Sequence, residues 1–171
     1  KEFGLENNIK IGIEEPVKLH GKIVSSTYIR EKLTQGELKI ANLCLGAPFL
    51  IIGEVVHGRK LGRVMGFPTA NLKILNKIYP PFGIYGGKVK IEGNENKWDA
   101  VINIGKNPTL KPDEKSIEVH ILDFDKDIYG RKIYVSLIEH LRDEKKFNSM
   151  EELKSTINND VNMWRNKVKR K

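Results

Sequence analysis

From Phe49 to Ile138 the chain is a succession of short β-branched and aromatic runs, each cut by glycine or proline. Phe49 to Val56, Ile84 to Ile91, Trp98 to Ile104, Ile117 to Phe124 and Lys132 to Ile138 read as strands. Pro80-Pro81-Phe82-Gly83, Gly93-Asn94 and Asp127-Ile128-Tyr129-Gly130 read as the turns between them. Strands at this spacing with no intervening helices predict a mainly β, antiparallel barrel. Ser149 and Glu152 then form a Ser-x-x-Glu helix start. Met150, Leu153, Ile157, Val161, Trp164 and Val168 fall on one face of that helix, which predicts packing against the barrel.

The first 46 residues have a different texture. Ile9, Ile11 and Ile13 alternate like a half-buried strand, Ser25-Ser26-Thr27 offers cap oxygens for a helix from Tyr28 to Leu33, and a second helix runs from Glu37 to Leu45. Gly46-Ala47-Pro48 marks a boundary, giving an α/β segment 1–46 and a barrel domain 47–171. The lone Cys44, between Leu43 and Leu45, reads as a small buried hydrophobe. One cysteine excludes an internal disulfide and suits a reducing cytoplasm. No apolar run approaches a bilayer span, so no membrane is expected, and the chain, opening on Lys1, reads as part of a longer gene product. The net charge of +8 admits either nucleic acid or a polyphosphate ligand.

Three stretches could carry chemistry. Gly58, Gly62 and Gly66 bracket Lys60 and Arg63 in one loop, where glycines let backbone N–H groups approach phosphate and the cations offset its charge. The loop lacks the Gly-Lys-Ser/Thr ending of the usual mononucleotide loop, and a plain hairpin loop has the same composition. Thr69 and Asn71 share one side of an extended segment. Their two neutral oxygens could hold Mg²⁺ if phosphates supply the remaining charge, or could serve as turn hydrogen-bonders. In Ile117–Ile121 the three aliphatics point to the core, leaving Glu118 and His120 on the other face. Glu118 there could accept a proton from an attacking hydroxyl, or could simply face solvent.

Together these pieces resemble riboflavin kinase, and more closely the C-terminal kinase module of bacterial bifunctional riboflavin kinase/FAD synthetase. The resemblance runs from about Gly46 to Asp160. It is carried by Gly62-Arg63 through Gly66-Phe67-Pro68-Thr69-Ala70-Asn71-Leu72, Gly83-Ile84-Tyr85, Asn103-Ile104-Gly105 with Asn107-Pro108-Thr109, Glu118-Val119-His120 and Leu141 through Phe147. It implies a six-stranded Greek-key barrel with a packed C-terminal helix, acting on riboflavin and ATP to give FMN and ADP. It further implies Mg²⁺ held by Thr69 and Asn71, and Glu118 as general base. The nucleotide would be contacted by Gly58, Lys60, Gly62, Arg63, Gly66, Pro68, Thr69 and Tyr129. Residues 141–147 would form a flap, with Arg142 and Phe147 near the flavin. From its place beside Glu118, His120 could contact substrate or orient its neighbours, and the second is favoured.

Residues 1–46 resemble the end of the FAD synthetase (FMN adenylyltransferase) domain, a Rossmann-like nucleotidyltransferase. There Ser25-Ser26-Thr27-Tyr28-Ile29-Arg30 matches a phosphate-contacting motif. The partner His-x-Gly-His motif is absent from the sequence, so no adenylyl transfer is expected from these residues. A different class of function remains compatible with the barrel: a basic module binding single-stranded nucleic acid through Phe67, Phe82, Tyr85 and Trp98. The aromatics sit beside glycines and prolines rather than along one strand face, which favours the kinase and no nucleic-acid partner. A barrel that only binds other proteins is a third reading, and oligomeric state is not legible.

Overall fold

The computed structural model describes residues 2–12, 14–58, 61–74, 78–106 and 115–170. Ile13, Lys60, Asn107-Pro108-Thr109 and the Lys111-Pro112-Asp113 loop lie outside the described residues.

Over its described residues, 9–12, the strand expected from Ile9 to Ile13 does not form. Ile9 and Ile11 are exposed, in irregular backbone after the short helix α1 (Glu2–Glu6). The Ile9 N–H donates to the Gly4 carbonyl at 2.7 Å, which turns the segment back on α1. Among the described residues no second strand pairs with it, and alternation without a partner buries nothing. Strands β1 (Lys18–Leu19) and β2 (Lys22–Ile23) form a two-residue hairpin whose central His20 and Gly21 both have positive φ, at 48° and 76°.

Helix α2 (Ser26–Thr34) is capped by Ser25, whose hydroxyl accepts from the Tyr28 N–H at 3.2 Å. Helix α3 (Leu38–Leu45) ends at Gly46, which takes the left-handed φ of 68° that favours glycine. Leu33, Leu38 and Ala41 join the same buried cluster as the barrel interior. Asn42 fastens the junction: its Nδ2 donates to the Leu137 carbonyl at 3.0 Å and its Oδ1 accepts from the Phe49 N–H at 2.8 Å. The sequence boundary at residue 46 is thus a docked joint. Cys44 is only half-buried, and Leu43 and Leu45 are exposed. Three consecutive helical residues cannot share one face, so the buried assignment of Cys44 fails.

Six strands close the barrel: β3 (Phe49–Val56), β4 (Ala70–Ile74), β5 (Gly83–Ile91), β6 (Lys97–Lys106), β7 (Lys115–Ile121) and β8 (Lys132–Arg142). Their order around the wall is β3-β4-β7-β6-β5-β8, every neighbour antiparallel. The chain crosses to the opposite wall between β4 and β5 and again between β7 and β8. Inward positions are β-branched or leucine, including Ile51, Val55, Ile102, Ile117, Val119, Ile133 and Val135, all at most 2% exposed. Tyr85 is also inside; its hydroxyl donates to the Pro81 carbonyl at 2.6 Å, and burial, with Asp143 adding, pushes the phenol up to about 12. The loop after β3 contains a single helical turn, α4 (Leu61–Val64), which the strand pattern did not anticipate.

Helix α5 (Met150–Lys169) lies on the outer wall. The Ser149 hydroxyl accepts from the Glu152 N–H at 3.1 Å, while the Glu152 carboxylate accepts from the Asn148 N–H at 3.0 Å, one residue earlier than the expected reciprocal cap. Ile157, Val161, Trp164 and Val168 pack with Val101, Leu122, Ile84 and Ile138. Met150 is exposed, so the apolar stripe begins a turn later than its sequence pattern. A Cβ on Gly86 of β5 would overlap the Trp164 indole, so that glycine is the seat on which the helix docks.

Candidate active site

The strand register lines up outward-facing side chains from five strands. Asn71 of β4 is the partner of Glu118 on β7, Glu118 of Asn103 on β6, Asn103 of Ile84 on β5, and Ile84 of Arg142 on β8. Directly paired residues have Cβ atoms about 4.5–5.5 Å apart on the same face. An amide, a carboxylate and a second amide therefore stand side by side because Leu72, Val119 and Ile102 beside them point inward.

Two glycines cover one end of this row. A Cβ on Gly58 would overlap the Asn71 amide, and a Cβ on Gly62 would overlap the Phe67 carbonyl and stand 3.3 Å from Thr69 Oγ1. Backbone at 58 and 62 thus lies against the two oxygen-bearing side chains; a side chain at 58 would have to displace the Asn71 amide, and one at 62 would meet the Phe67 backbone. The Phe67 N–H donates to the Gly62 carbonyl at 2.8 Å, and Gly66 turns the chain with a φ of 87°. Arg63 is exposed on α4, and Pro68 is exposed one residue before Thr69. Tyr129 stands at the other end of the loop, its ring 3.9 Å between centroids from His57, the residue before Gly58. Among the described residues no cluster of His, Cys, Asp and Glu could cage a metal. Thr69 and Asn71 under the glycine backbone suit a cation that arrives with its own anionic ligand.

His120 shares the outer face of β7 with Glu118, and its Nδ1 lies 2.8 Å from the Pro68 carbonyl. A carbonyl only accepts, so Nδ1 carries the proton. Burial holds the imidazole below its ordinary pKa; the Pro68 bond and Asp123 oppose this, and Arg165 adds to it. Protonation is thus harder in the folded state, so the stabilising contribution is complete above about pH 6.5 and is lost as pH falls through the lowered value. Unfolding free energy measured from pH 7 to pH 5 is expected to decline, and His120→Asn is expected to show a shallower decline.

At the far end of the row, Arg142 is clamped. Its Nε donates to Asp160 Oδ1 at 3.0 Å, its Nη2 to Asp160 Oδ2 at 2.8 Å, and its Nη1 to the Asp143 carbonyl at 2.9 Å. Asp160 is 3% exposed, so this bidentate pair ties the end of β8 to α5. The Arg142 guanidinium is 5.9 Å from the centroid of the Phe147 ring, keeping both residues together. Beyond Arg142, the Glu144 carboxylate lies where a Cβ of Gly105 would be, 3.6 Å from Asn103 Oδ1 for such a Cβ. Burial pushes its carboxyl up, partly offset by Lys106 and Arg142.

Gly58 thus lies against Asn71 and Gly62 beside Thr69, the register sets Glu118 next to Asn71, and Arg142 with Phe147 lies at the other end of the row. In the sequence Asn103 and Glu144 stand only as members of longer motifs, with no role of their own, and Asp160 has none. Asn103 had a signal, since Ile102 and Ile104 pointing inward force it outward. Asp160 lies beside Val161 and one turn before Trp164, on the face of α5 that docks on the barrel. The aromatics a nucleic-acid platform would display are packed away. Tyr85 is 1% exposed, Phe82 and Trp98 pack on the core, Trp98 also meets Phe124, and Phe67 packs under α5.

Residues 45–168 match the family model described as Flavokinase: Riboflavin kinase. The chain belongs to the riboflavin kinase family. Among curated relatives, the bifunctional riboflavin kinase/FMN adenylyltransferase of Bacillus subtilis is 43% identical over 81% of this chain and 45% of its own length. That of Pseudomonas fluorescens is 41% identical over 92% of this chain and 50% of its own. The chain spans about half the length of these relatives. Of solved structures, riboflavin kinase from Trypanosoma brucei aligns with a TM-score of 0.54 at 26% identity, covering 72% of this chain and 78% of that one. A Streptococcus pneumoniae protein described as a macrolide-efflux protein aligns with a TM-score of 0.84 at 38% identity, covering 95% of this chain and 54% of that one. That description belongs to the neighbour; no described helix of this riboflavin kinase family member is long and apolar enough to cross a membrane.

Proposed function

We propose that this chain transfers the γ-phosphoryl group of ATP to the terminal ribityl hydroxyl of riboflavin. The observation that carries the reading is the Asn71–Glu118–Asn103 row, with the backbone of Gly58 against Asn71 and that of Gly62 beside Thr69, in a member of the riboflavin kinase family. Phosphoryl transfer needs positioning and charge stabilisation more than covalent chemistry. The loop from Gly58 to Phe67 lies over the phosphates, with Lys60 and Arg63 supplying positive charge and Tyr129 beside the nucleotide. Thr69 Oγ1 and Asn71 Oδ1 are the oxygens that would hold Mg²⁺, which neutralises phosphate charge when bound. Glu118 takes the proton as the hydroxyl oxygen forms its bond to the γ-phosphorus and the bond to the ADP oxygen breaks. FMN and ADP leave. Asn103 orients the acceptor, and Arg142 and Phe147 border the flavin.

The test is to incubate the chain with riboflavin and ATP, with and without Mg²⁺, and separate the flavins by chromatography. Metal-dependent FMN supports the reading; no FMN at any metal concentration refutes it. Thr69→Ala is expected to raise the Mg²⁺ concentration for half-maximal rate by about tenfold, the value of one lost ligand-strength bond of about 1.4 kcal/mol. An unchanged titration would remove Thr69 from the metal site.

Residues 1–46 we assign to the end of an adenylyltransferase unit, and residues 47–171 to the kinase. Support comes from the relatives that match over 92–94% of this chain, which reaches into the first 46 residues. The single half-buried Cys44 suits work in the cytoplasm.

A further inference from the structure

The geometry points to His120 as the positioning residue for Thr69, acting through the Pro68 carbonyl; the inference rests on the kinase reading for the role of Thr69. Thr69 lies just outside β4, whose first ladder pair is Ala70 with Val119. On its other side the chain is held at the Phe67 N–H, bonded to Gly62, and at the Pro68 carbonyl, bonded to His120. Proline has no N–H, so this carbonyl is the only backbone hydrogen-bonding group Pro68 offers. It is also the last backbone carbonyl before Thr69. The other wall of the tether is open: a cavity of about 580 Å³, bordered by Pro68, His120, Phe124, Val161 and Arg165, lies between the loop and α5. Without the imidazole N–H, the Pro68 carbonyl faces that space and the turn can rotate, carrying the Thr69 hydroxyl away from Asn71. The Phe67 ring edge-on to His120, 5.6 Å between centroids, fixes the imidazole plane.

His120 thus holds Thr69 through the loop, while Glu118 stands two positions before it on the same face of β7. The role belongs to Nδ1–H, which gives a sharp prediction. The side-chain nitrogen of asparagine can overlie Nδ1, whereas that of glutamine overlies Nε2 and cannot reach the carbonyl in the same way. One hydrogen bond is worth about 3- to 10-fold in a binding constant.

The experiment compares His120→Asn, His120→Gln and His120→Ala with the unaltered chain by two readouts. The first is the Mg²⁺ concentration for half-maximal FMN formation, separated from kcat. His120→Gln and His120→Ala are expected to raise it about 3- to 10-fold with kcat changed less than threefold, and His120→Asn to restore it to within about twofold. The second is amide hydrogen exchange over residues 66–72 in the ligand-free chain, faster in Gln and Ala and close to the unaltered chain in Asn. Should His120→Ala fail to fold, the Asn and Gln pair decides alone. Equal impairment of Asn and Gln, or no change in either, overturns the inference. If the unaltered chain makes no FMN, the proposed function falls, and the exchange comparison still decides whether His120 holds the loop.

Discussion

Glu118→Gln is expected to lower turnover by about 10²–10⁴-fold, the usual worth of a general base, while ATP binding stays near that of the unaltered chain. The substitution keeps the shape of the side chain and its place between Asn71 and Asn103 in the strand register. It removes the carboxylate that would take up the proton of the ribityl hydroxyl. Because β7 alternates cleanly, with Ile117, Val119 and Ile121 buried, the neutral amide gains no route into the core and the barrel is expected to fold unchanged. Initial rates of FMN formation and nucleotide affinity, measured on the same preparation, separate the two effects. A variant within about threefold of the unaltered chain would remove proton transfer to Glu118 from the mechanism, since general-base catalysis is worth far more.

Trp164→Ala carries the largest expected loss of stability, about 3–5 kcal/mol for a buried aromatic truncated to alanine. Trp164 is 2% exposed and joins α5 to Val101 and Leu122 on the barrel wall. In a domain of this size the loss corresponds to a drop in Tm of roughly 6–20 °C. Gly86→Ala attacks the same contact from the other side, because its new Cβ would overlap the indole. The two changes share one interface, so the double variant is expected to lose less than the sum of the singles. Strict additivity in thermal or denaturant unfolding would mean that α5 is not seated on Gly86.

Much of this arrangement was written in local patterns. The strand at Phe49–Val56 and the Ser149 cap appear where β-branched runs and cap chemistry place them, because each depends on neighbours close in sequence. Glu118 facing away from the core follows from period-two alternation alone. What was not legible depends on pairings between distant segments. No local pattern says that Asn71, Glu118 and Asn103 fall in one row, since that is set by the register of β4, β7 and β6. The Arg142–Asp160 clamp joins residues 18 apart through the docking of α5. The failed strand at Ile9 and Ile11 shows the same limit from the other side: a good alternation is no strand without a partner. Cys44 was misjudged because hydrophobic neighbours along a helix do not share its buried face.

The measurement that bears most directly on the central claim is transfer of label from ATP carrying a radioactive γ-phosphate, with riboflavin and Mg²⁺ present. The account predicts that the label appears in FMN, one label per flavin, and that the ADP left behind carries none. Label released only as inorganic phosphate, with riboflavin unchanged and its fluorescence unaffected by the protein, would contradict it.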